Sequence, residues 1–253
     1  MIDLFTQDRL LDGRITVLQP AEGYRAAIDP IFLAASVPVQ SGDKVLDIGC
    51  GAGASSLCLA ARLPAAEIVG VDAQENLIQL AQQGAEISGL ASQTSFITGD
   101  ILKLTVVCPP ELIPGSFDHV MANPPYLPKN TGNPSPDPVK AAANVEGDAA
   151  LADWVDFALL MVKDGGTITF VHRYDRRDEV IRNLSGESGK IRVFPLWPKK
   201  KKEGAKRVLV QGIKGVVGET EILAGLVLHR DDGSFARRAD DVLRRAGHLV
   251  MAS

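Results

Sequence analysis

Cysteine is scarce. The chain has three in 253 residues, Cys50, Cys58 and Cys108, with no C-x-x-C pair and no histidine spacing that would complete a zinc site. Reduced thiols in a cytoplasmic protein without a metal are the expectation, and a disulfide-stapled scaffold is excluded. Aromatic residues make up only 5% of the chain, and there are four histidines. Single, scattered histidines such as His119, His172 and His229 read as structural. No apolar run reaches the ~18 residues of a membrane span, and the N-terminus lacks a basic stretch leading into an apolar one, so neither membrane insertion nor export is expected. What remains is a globular composition, 45% hydrophobic and 23% charged, long enough for one large α/β domain or for a domain with an appendage.

The net charge of −4 conceals a segregation. Residues 171–214 hold seven Lys and six Arg against five acids, a local +8 that leaves −12 for the remainder. The densest run is K-K-K-K-E-G-A-K-R, Lys199 to Arg207. Lys199, Lys200, Lys201, Lys202, Lys206 and Arg207 are therefore candidate phosphate contacts of a nucleic-acid partner, with a solvated hairpin loop as the alternative. Phe194 and Trp197 are candidates either for base stacking or for the core.

Apolar runs and helical stretches alternate along the chain. Strands are expected at 44–48, 67–71, 94–98, 117–122, 166–171, 191–196 and 207–213, with helices at 55–62, 74–88, 149–162 and 176–184 between them. This order predicts a Rossmann-like, doubly wound, seven-stranded and mainly parallel sheet. The last two strands have only a short basic loop between them, which makes that pair antiparallel. A strand near 14–18 and a helix capped by Asp29 with Pro30 at its first turn form an N-terminal appendage over residues 1–38. The main domain takes 39–215, and 216–253 is a C-terminal strand and basic helix. Residues 127–148, with Pro128, Pro134, Pro136 and Pro138, read as a long loop.

In V-L-D-I-G-C-G-A-G-A, Gly49, Gly51 and Gly53 occupy a turn between a strand and a helix, where positive φ and the missing Cβ let backbone approach a ligand. The spacing departs from the dinucleotide fingerprint G-x-G-x-x-G, although Ala54 is tolerated at its third position, so a nicotinamide enzyme is an alternative. Asp47, at the end of the first strand, favours a cationic ligand over a pyrophosphate. Asp72 follows the second strand where a carboxylate accepts from a ribose diol, and Asp100 follows the third. Together they describe an acidic pocket for an adenosine-bearing cofactor.

After the fourth strand comes N-P-P-Y, Asn123 to Tyr126. Pro124 and Pro125 remove two backbone donors and fix two φ angles, making a rigid platform. The Asn123 side chain and the Pro124 carbonyl are acceptors, and the Tyr126 ring is flat, a set suited to holding a planar amide or an aromatic amine.

With these two motifs, the chain resembles the class I S-adenosylmethionine-dependent methyltransferases, over roughly residues 40–215. The resemblance implies S-adenosylmethionine as cofactor. It assigns Asp29, Asp47, Gly49, Cys50, Gly51, Gly53, Asp72, Ala73, Asp100, Ile101 and Asn123 to cofactor binding, and Asn123, Pro124, Pro125 and Tyr126 to catalysis. Within the class, G-Y-R-A-A-I-D-P-I-F-L-A-A (Gly23 to Ala35), R-V-L-V-Q-G (Arg207 to Gly212) and L-V-L-H (Leu226 to His229) are similar to bacterial tRNA adenine methyltransferases acting on a valine tRNA anticodon loop. The resemblance thus implies methylation of an exocyclic adenine amine with tRNA as partner. Glutamine methylation of peptide release factors, whose enzymes share N-P-P-Y, is the alternative chemistry, and a catalytically silent RNA-binding adaptor is the alternative class.

Overall fold

The computed structural model describes residues 5–21, 27–126, 149–199 and 204–251. Strands β1 (Phe5–Leu10) and β2 (Ile15–Pro20) form an antiparallel hairpin, closed by Leu11, Asp12 and Gly13 with positive φ. The hairpin lies on helix α3 (Glu75–Ile87): Ser88 Oγ accepts from Thr16 N at 2.9 Å, and Gly84 leaves room for the Thr16 carbonyl. Helix α1 (Asp29–Ser36) follows.

The central sheet is built from β3 (Lys44–Ile48), β4 (Glu67–Asp72), β5 (Thr94–Thr98), β6 (Phe117–Ala122), β7 (Val162–Arg173), β8 (Ser188–Trp197) and β9 (Arg207–Lys214). Between them run α2 (Ala54–Ala60), α3, the single turn α4 (Ile101–Leu104), α5 (Leu151–Met161) and α6 (Arg177–Leu184). The strand order is β8-β9-β7-β6-β3-β4-β5. All neighbours are parallel except β9, which is antiparallel to both β7 and β8. The expected doubly wound sheet with a reversed last strand is therefore present. The two-residue strands β10 (Glu221–Ile222) and β11 (Leu226–Val227) extend it along β8, and α7 (Arg237–Arg245) follows.

Strand residues are buried on both faces, as a parallel sheet covered by helices requires. Neighbouring residues point to opposite sides, so Val45, Ile68 and Met121 pack in one apolar layer with α1 and α2, and Leu46, Val69 and Val120 in the other with α5. Phe194 is buried in the first layer, so it serves packing, and half-buried Trp197 donates Nε1–H to the Ala224 carbonyl at 3.0 Å. Arg62 ties α7 to this layer, donating from Nη2 to the Val242 carbonyl at 2.9 Å.

The sheet order reverses between β3 and β6, the two strands whose connections leave in opposite directions. In such a fold the crevice beyond the carboxyl ends of these strands is where a ligand fits. The register pairs Ile48 with Ala122, so Gly49 and Asn123 are the next residues of adjacent strands.

Candidate active site

Gly49, Gly51 and Gly53 all have positive φ, at +65°, +54° and +80°. Gly49 is the most constrained: a Cβ there would lie 2.4 Å from Cη2 of Trp154, whose indole packs under the loop from α5. Above Gly51 nothing among the described residues lies within 4 Å of a Cβ built on it. The loop thus has one face propped by an aromatic ring and, among the described residues, one face uncovered. Trp154 had no sign in the sequence marking it as part of the site; its indole Nε1 is buried and has no partner among the described residues.

Asp72 spans the loop. Its Oδ2 accepts from Gly51 N at 3.0 Å and its Oδ1 from Gln74 N at 2.9 Å, while burial raises its pKa above the usual carboxylate range against those two bonds. Each oxygen retains accepting capacity for a hydroxyl. Ala73 follows it. Asp100 is the N-cap of α4, accepting from Leu102 N at 3.1 Å, with Ile101 beginning that turn.

Asp47 is enclosed rather than facing the crevice. It is 1% exposed and accepts from Ser56 Oγ at 2.6 Å, and burial pushes its pKa up to about 7, with Asp72 adding to the rise. Cys50 is also turned under the loop, its Sγ close to Gly70, and burial first, then Asp47 and Asp72, raise its pKa. It is held as a thiol, which is not the nucleophilic form.

The Asp47 shift has a stability consequence. In the native state the carboxyl holds its proton to a pH near 7, whereas in the unfolded chain it loses it near 3.8. The native state therefore binds more protons between those values, and stability falls as pH rises through that window, by up to ~4 kcal/mol, and is level above it. Thermal melts from pH 4 to pH 8 are expected to show this decline in the wild type and a clearly flatter profile in Asp47→Asn.

Beyond β6, the N-P-P-Y segment lies against α1 and the start of β9. Tyr126 Oη is 2.7 Å from Asn123 Oδ1 and 2.8 Å from Asp29 Oδ2. Asp29 also accepts from Arg207 Nε at 2.8 Å, and the Arg207 guanidinium sits over the Tyr126 ring, 4.5 Å from its centroid. His172 meets the same ring edge-on at 5.4 Å, and Arg176 Nη1 reaches the Tyr126 carbonyl at 3.4 Å.

One expectation is revised by these neighbours, and two residues gain partners that the sequence did not show. Asp29 is not the N-cap of α1; Ile28 takes that position, and the Asp29 carboxylate turns to Tyr126 and Arg207. Arg207 is not simply the last member of a solvated basic run: its ion pair and its place over the ring hold it in the site. Tyr126 is only 7% exposed, so a base stacks on the Arg207 side of its ring only if the guanidinium withdraws.

His172 is buried, and burial, with Arg176 next, pushes its pKa down to about 4. Its Nδ1 accepts from Arg173 N at 2.9 Å, which puts the hydrogen on Nε2. Neither nitrogen is thereby available as a base. Lys199 and Lys206 flank the connection between β8 and β9 and emerge at the same sheet edge as the glycine loop, Lys206 exposed. Lys200, Lys201 and Lys202 lie outside the described residues.

The glycine loop and the asparagine-proline platform, side by side at the switch point, are matched by a family model described as a methyltransferase domain, over residues 39–184. The chain belongs to the methyltransferase-domain family. The cofactor is S-adenosylmethionine. The residues fit it: the space over Gly51 among the described residues and the accepting capacity left on the Asp72 carboxylate would accommodate an adenosine derivative with a ribose diol.

Two curated relatives are similar to the chain. The release factor glutamine methyltransferase of Chlorobaculum tepidum is 28% identical over 57% of this chain and 50% of its own length. The tRNA1(Val) (adenine(37)-N6)-methyltransferase of Yersinia pestis is 35% identical over 41% of this chain and 40% of its own. The chain thus spans about half the length of the curated relatives it matches. Among solved structures, one described as a predicted O-methyltransferase from Agrobacterium tumefaciens superposes on 89% of this chain and all of that chain, with a TM-score of 0.74 at 23% identity, a likeness of fold.

Proposed function

We propose that this methyltransferase transfers a methyl group to the exocyclic amine of adenine in an RNA, with tRNA the first candidate. The observation that carries the reading is the Asn-Pro-Pro-Tyr platform leaving β6 next to Gly49, which follows β3. An sp² amino nitrogen is a weak nucleophile because its lone pair is delocalised. Asn123 and the Pro124 carbonyl are two acceptors for its two hydrogens, which orients the nitrogen and favours its rehybridisation as it bonds to carbon. When bound, S-adenosylmethionine supplies an electrophilic methyl on a sulfonium. The acceptor proton leaves to solvent after transfer, so no strong base is needed, consistent with the neutral, committed His172.

The basic residues between β8 and β9 support a polyanionic acceptor, because β8 ends and β9 begins at the same sheet edge as the platform. Replacing Lys199, Lys200, Lys201 and Lys202 together by Ser is expected to weaken RNA binding and to flatten its log–log salt dependence by about 0.7 for each phosphate no longer neutralised. Binding titrations across a salt series check this; an unchanged slope makes the run a solvated loop.

Glutamine methylation of a release factor is the second reading. It is favoured by the longer match to the Chlorobaculum enzyme, 57% of this chain against 41% for the Yersinia one. The experiment is incubation with methyl-labelled S-adenosylmethionine and, in parallel, unmodified total tRNA, ribosomal RNA and release factor. Label in an RNA supports the proposal, and label confined to release factor transfers the function to the glutamine reading.

A further inference from the structure

Trp197 ends β8 and Tyr174 follows the last residue of β7, so both emerge at the carboxyl edge of the sheet with β9 between their strands. The register sets Arg173 and Leu196 opposite Arg207. Tyr174, Lys206 and Trp197 are therefore each one residue beyond that row, and Tyr174 N donates to the Lys206 carbonyl at 3.1 Å. The two rings meet, with centroids 6.1 Å apart and planes tilted by 46°. Each residue is half-buried, and Lys206 beside them is exposed. Both rings are held in place. The Trp197 indole is fixed by its bond to the Ala224 carbonyl, and the Arg177 guanidinium lies 4.4 Å from the Tyr174 centroid while its Nη1 donates to the Tyr174 carbonyl. The pair adjoins the platform, since Arg176, two residues past Tyr174, reaches the Tyr126 carbonyl.

The charges around the rings divide into two kinds. Arg173, Arg176 and Arg177 are paired with Asp175, Glu179 and Asp178, whereas Lys199 and Lys206 have no ion pair among the described residues. Aromatic faces beside unpaired lysines are the composition of a surface for unpaired nucleotides, because every base has a face to stack and the lysines meet backbone phosphates. A duplex keeps those faces within its own stack. We propose that Tyr174 and Trp197 are a stacking platform for an unpaired nucleotide of the acceptor RNA beside the target adenosine, with Lys199 and Lys206 on its phosphates. The inference rests on the reading of the acceptor as RNA and extends it to how the strand is held next to the reacting base.

The chain has two tryptophans, so Trp154→Phe leaves Trp197 as the one indole reporter. A single-stranded oligoadenylate is expected to quench its fluorescence, and inorganic polyphosphate, which carries the charges without bases, is expected to give little quenching. Equal quenching by the two overturns the proposal, as does a labelled oligoadenylate that binds by anisotropy and leaves Trp197 unchanged. If Trp154→Phe does not fold, 5-fluorotryptophan in the otherwise native protein gives the same reading: the 19F resonance that Trp197→Phe removes is expected to shift with oligoadenylate, and one that stays in place overturns the proposal.

Substitution separates stacking from charge. Trp197→Ala is expected to weaken oligoadenylate binding about ten-fold at every salt concentration, leaving the log–log salt slope as it was, and Trp197→Phe is expected to restore it to within about three-fold of wild type. The Kd for S-adenosylmethionine is expected to stay within about two-fold in both. A slope that flattens in Trp197→Ala makes the indole a prop for the lysines and overturns the proposal, as does a loss that Trp197→Phe does not recover. Methylated RNA together with a Trp197 indifferent to oligoadenylate overturns this proposal and leaves the functional reading standing. Label confined to release factor overturns the functional reading, and quenching of Trp197 by release factor but not by oligoadenylate overturns this one too, giving the surface to a protein.

Discussion

Asn123→Ala is expected to reduce methyl transfer by at least ~10²-fold while leaving S-adenosylmethionine affinity within about two-fold, the scale seen when one preorganised polar group is taken from a transition state. The substitution deletes a side-chain acceptor and nothing that props the glycine loop, since that support comes from Trp154 and Asp72. Asn123→Asp is a sharper variant. It keeps an oxygen but brings a charge within reach of Asp29 through Tyr126, and is expected to be nearly as impaired. Single-turnover rates and equilibrium cofactor binding check both. Turnover within a few-fold of wild type in Asn123→Ala removes the residue from the chemistry.

Gly49→Ala is expected to have the largest effect on the cofactor loop. Two costs add: about 1–2 kcal/mol for a non-glycine residue at φ +65°, and about 1–3 kcal/mol for driving a methyl into the Trp154 ring. Cofactor affinity is expected to fall by at least ~10-fold and stability to drop, because the ring cannot retreat without disturbing α5. In a Trp154→Ala background the steric part disappears, and Gly49→Ala is then expected to cost only the backbone part, about 1–2 kcal/mol. Chemical denaturation of the four proteins reads this directly. An equal cost in both backgrounds shows that Trp154 is not what the methyl meets.

The sequence was most legible where local pattern and final environment agree. The stretches 44–48, 94–98 and 117–122 are short apolar runs ended by Gly, Asp or Asn-Pro, and they became strands with those bounds. Strand β1 was not legible: F-T-Q-D-R-L is largely polar, and it is extended because β2 pairs with it, not because of a periodicity of its own. The start of β7 was likewise hidden in V-K-D-G-G, where the sheet register shifts between Phe117 and His119.

In the site, the glycines and N-P-P-Y could be read because turns and rigid platforms depend on local residue type. Arg207 was grouped with the lysine run because it adjoins that run in sequence, and its ion pair with Asp29 could not be read there. It reaches the site through topology: β9 runs antiparallel beside β7, so its first residue, opposite Arg173, begins at the carboxyl edge where the parallel strands end. Asp29 was expected to cap its helix for the same kind of reason, since its partners Tyr126 and Arg207 are 97 and 178 residues away. Trp154 gave no signal because an aromatic residue on an apolar helix face is the ordinary composition of a core.

The central claim is that an exocyclic adenine nitrogen receives the methyl group. The measurement that tests it most directly is nucleoside mass analysis of RNA methylated by the purified protein with isotopically labelled S-adenosylmethionine, resolving N6-methyladenosine from its ring-methylated isomers and from methylated guanosine and cytidine. The account predicts that the label is in N6-methyladenosine and disappears with Asn123→Ala. Label on a ring nitrogen, or on a carbon or ribose oxygen, contradicts it, because such an acceptor does not present the two amine hydrogens that Asn123 and the Pro124 carbonyl are placed to hold.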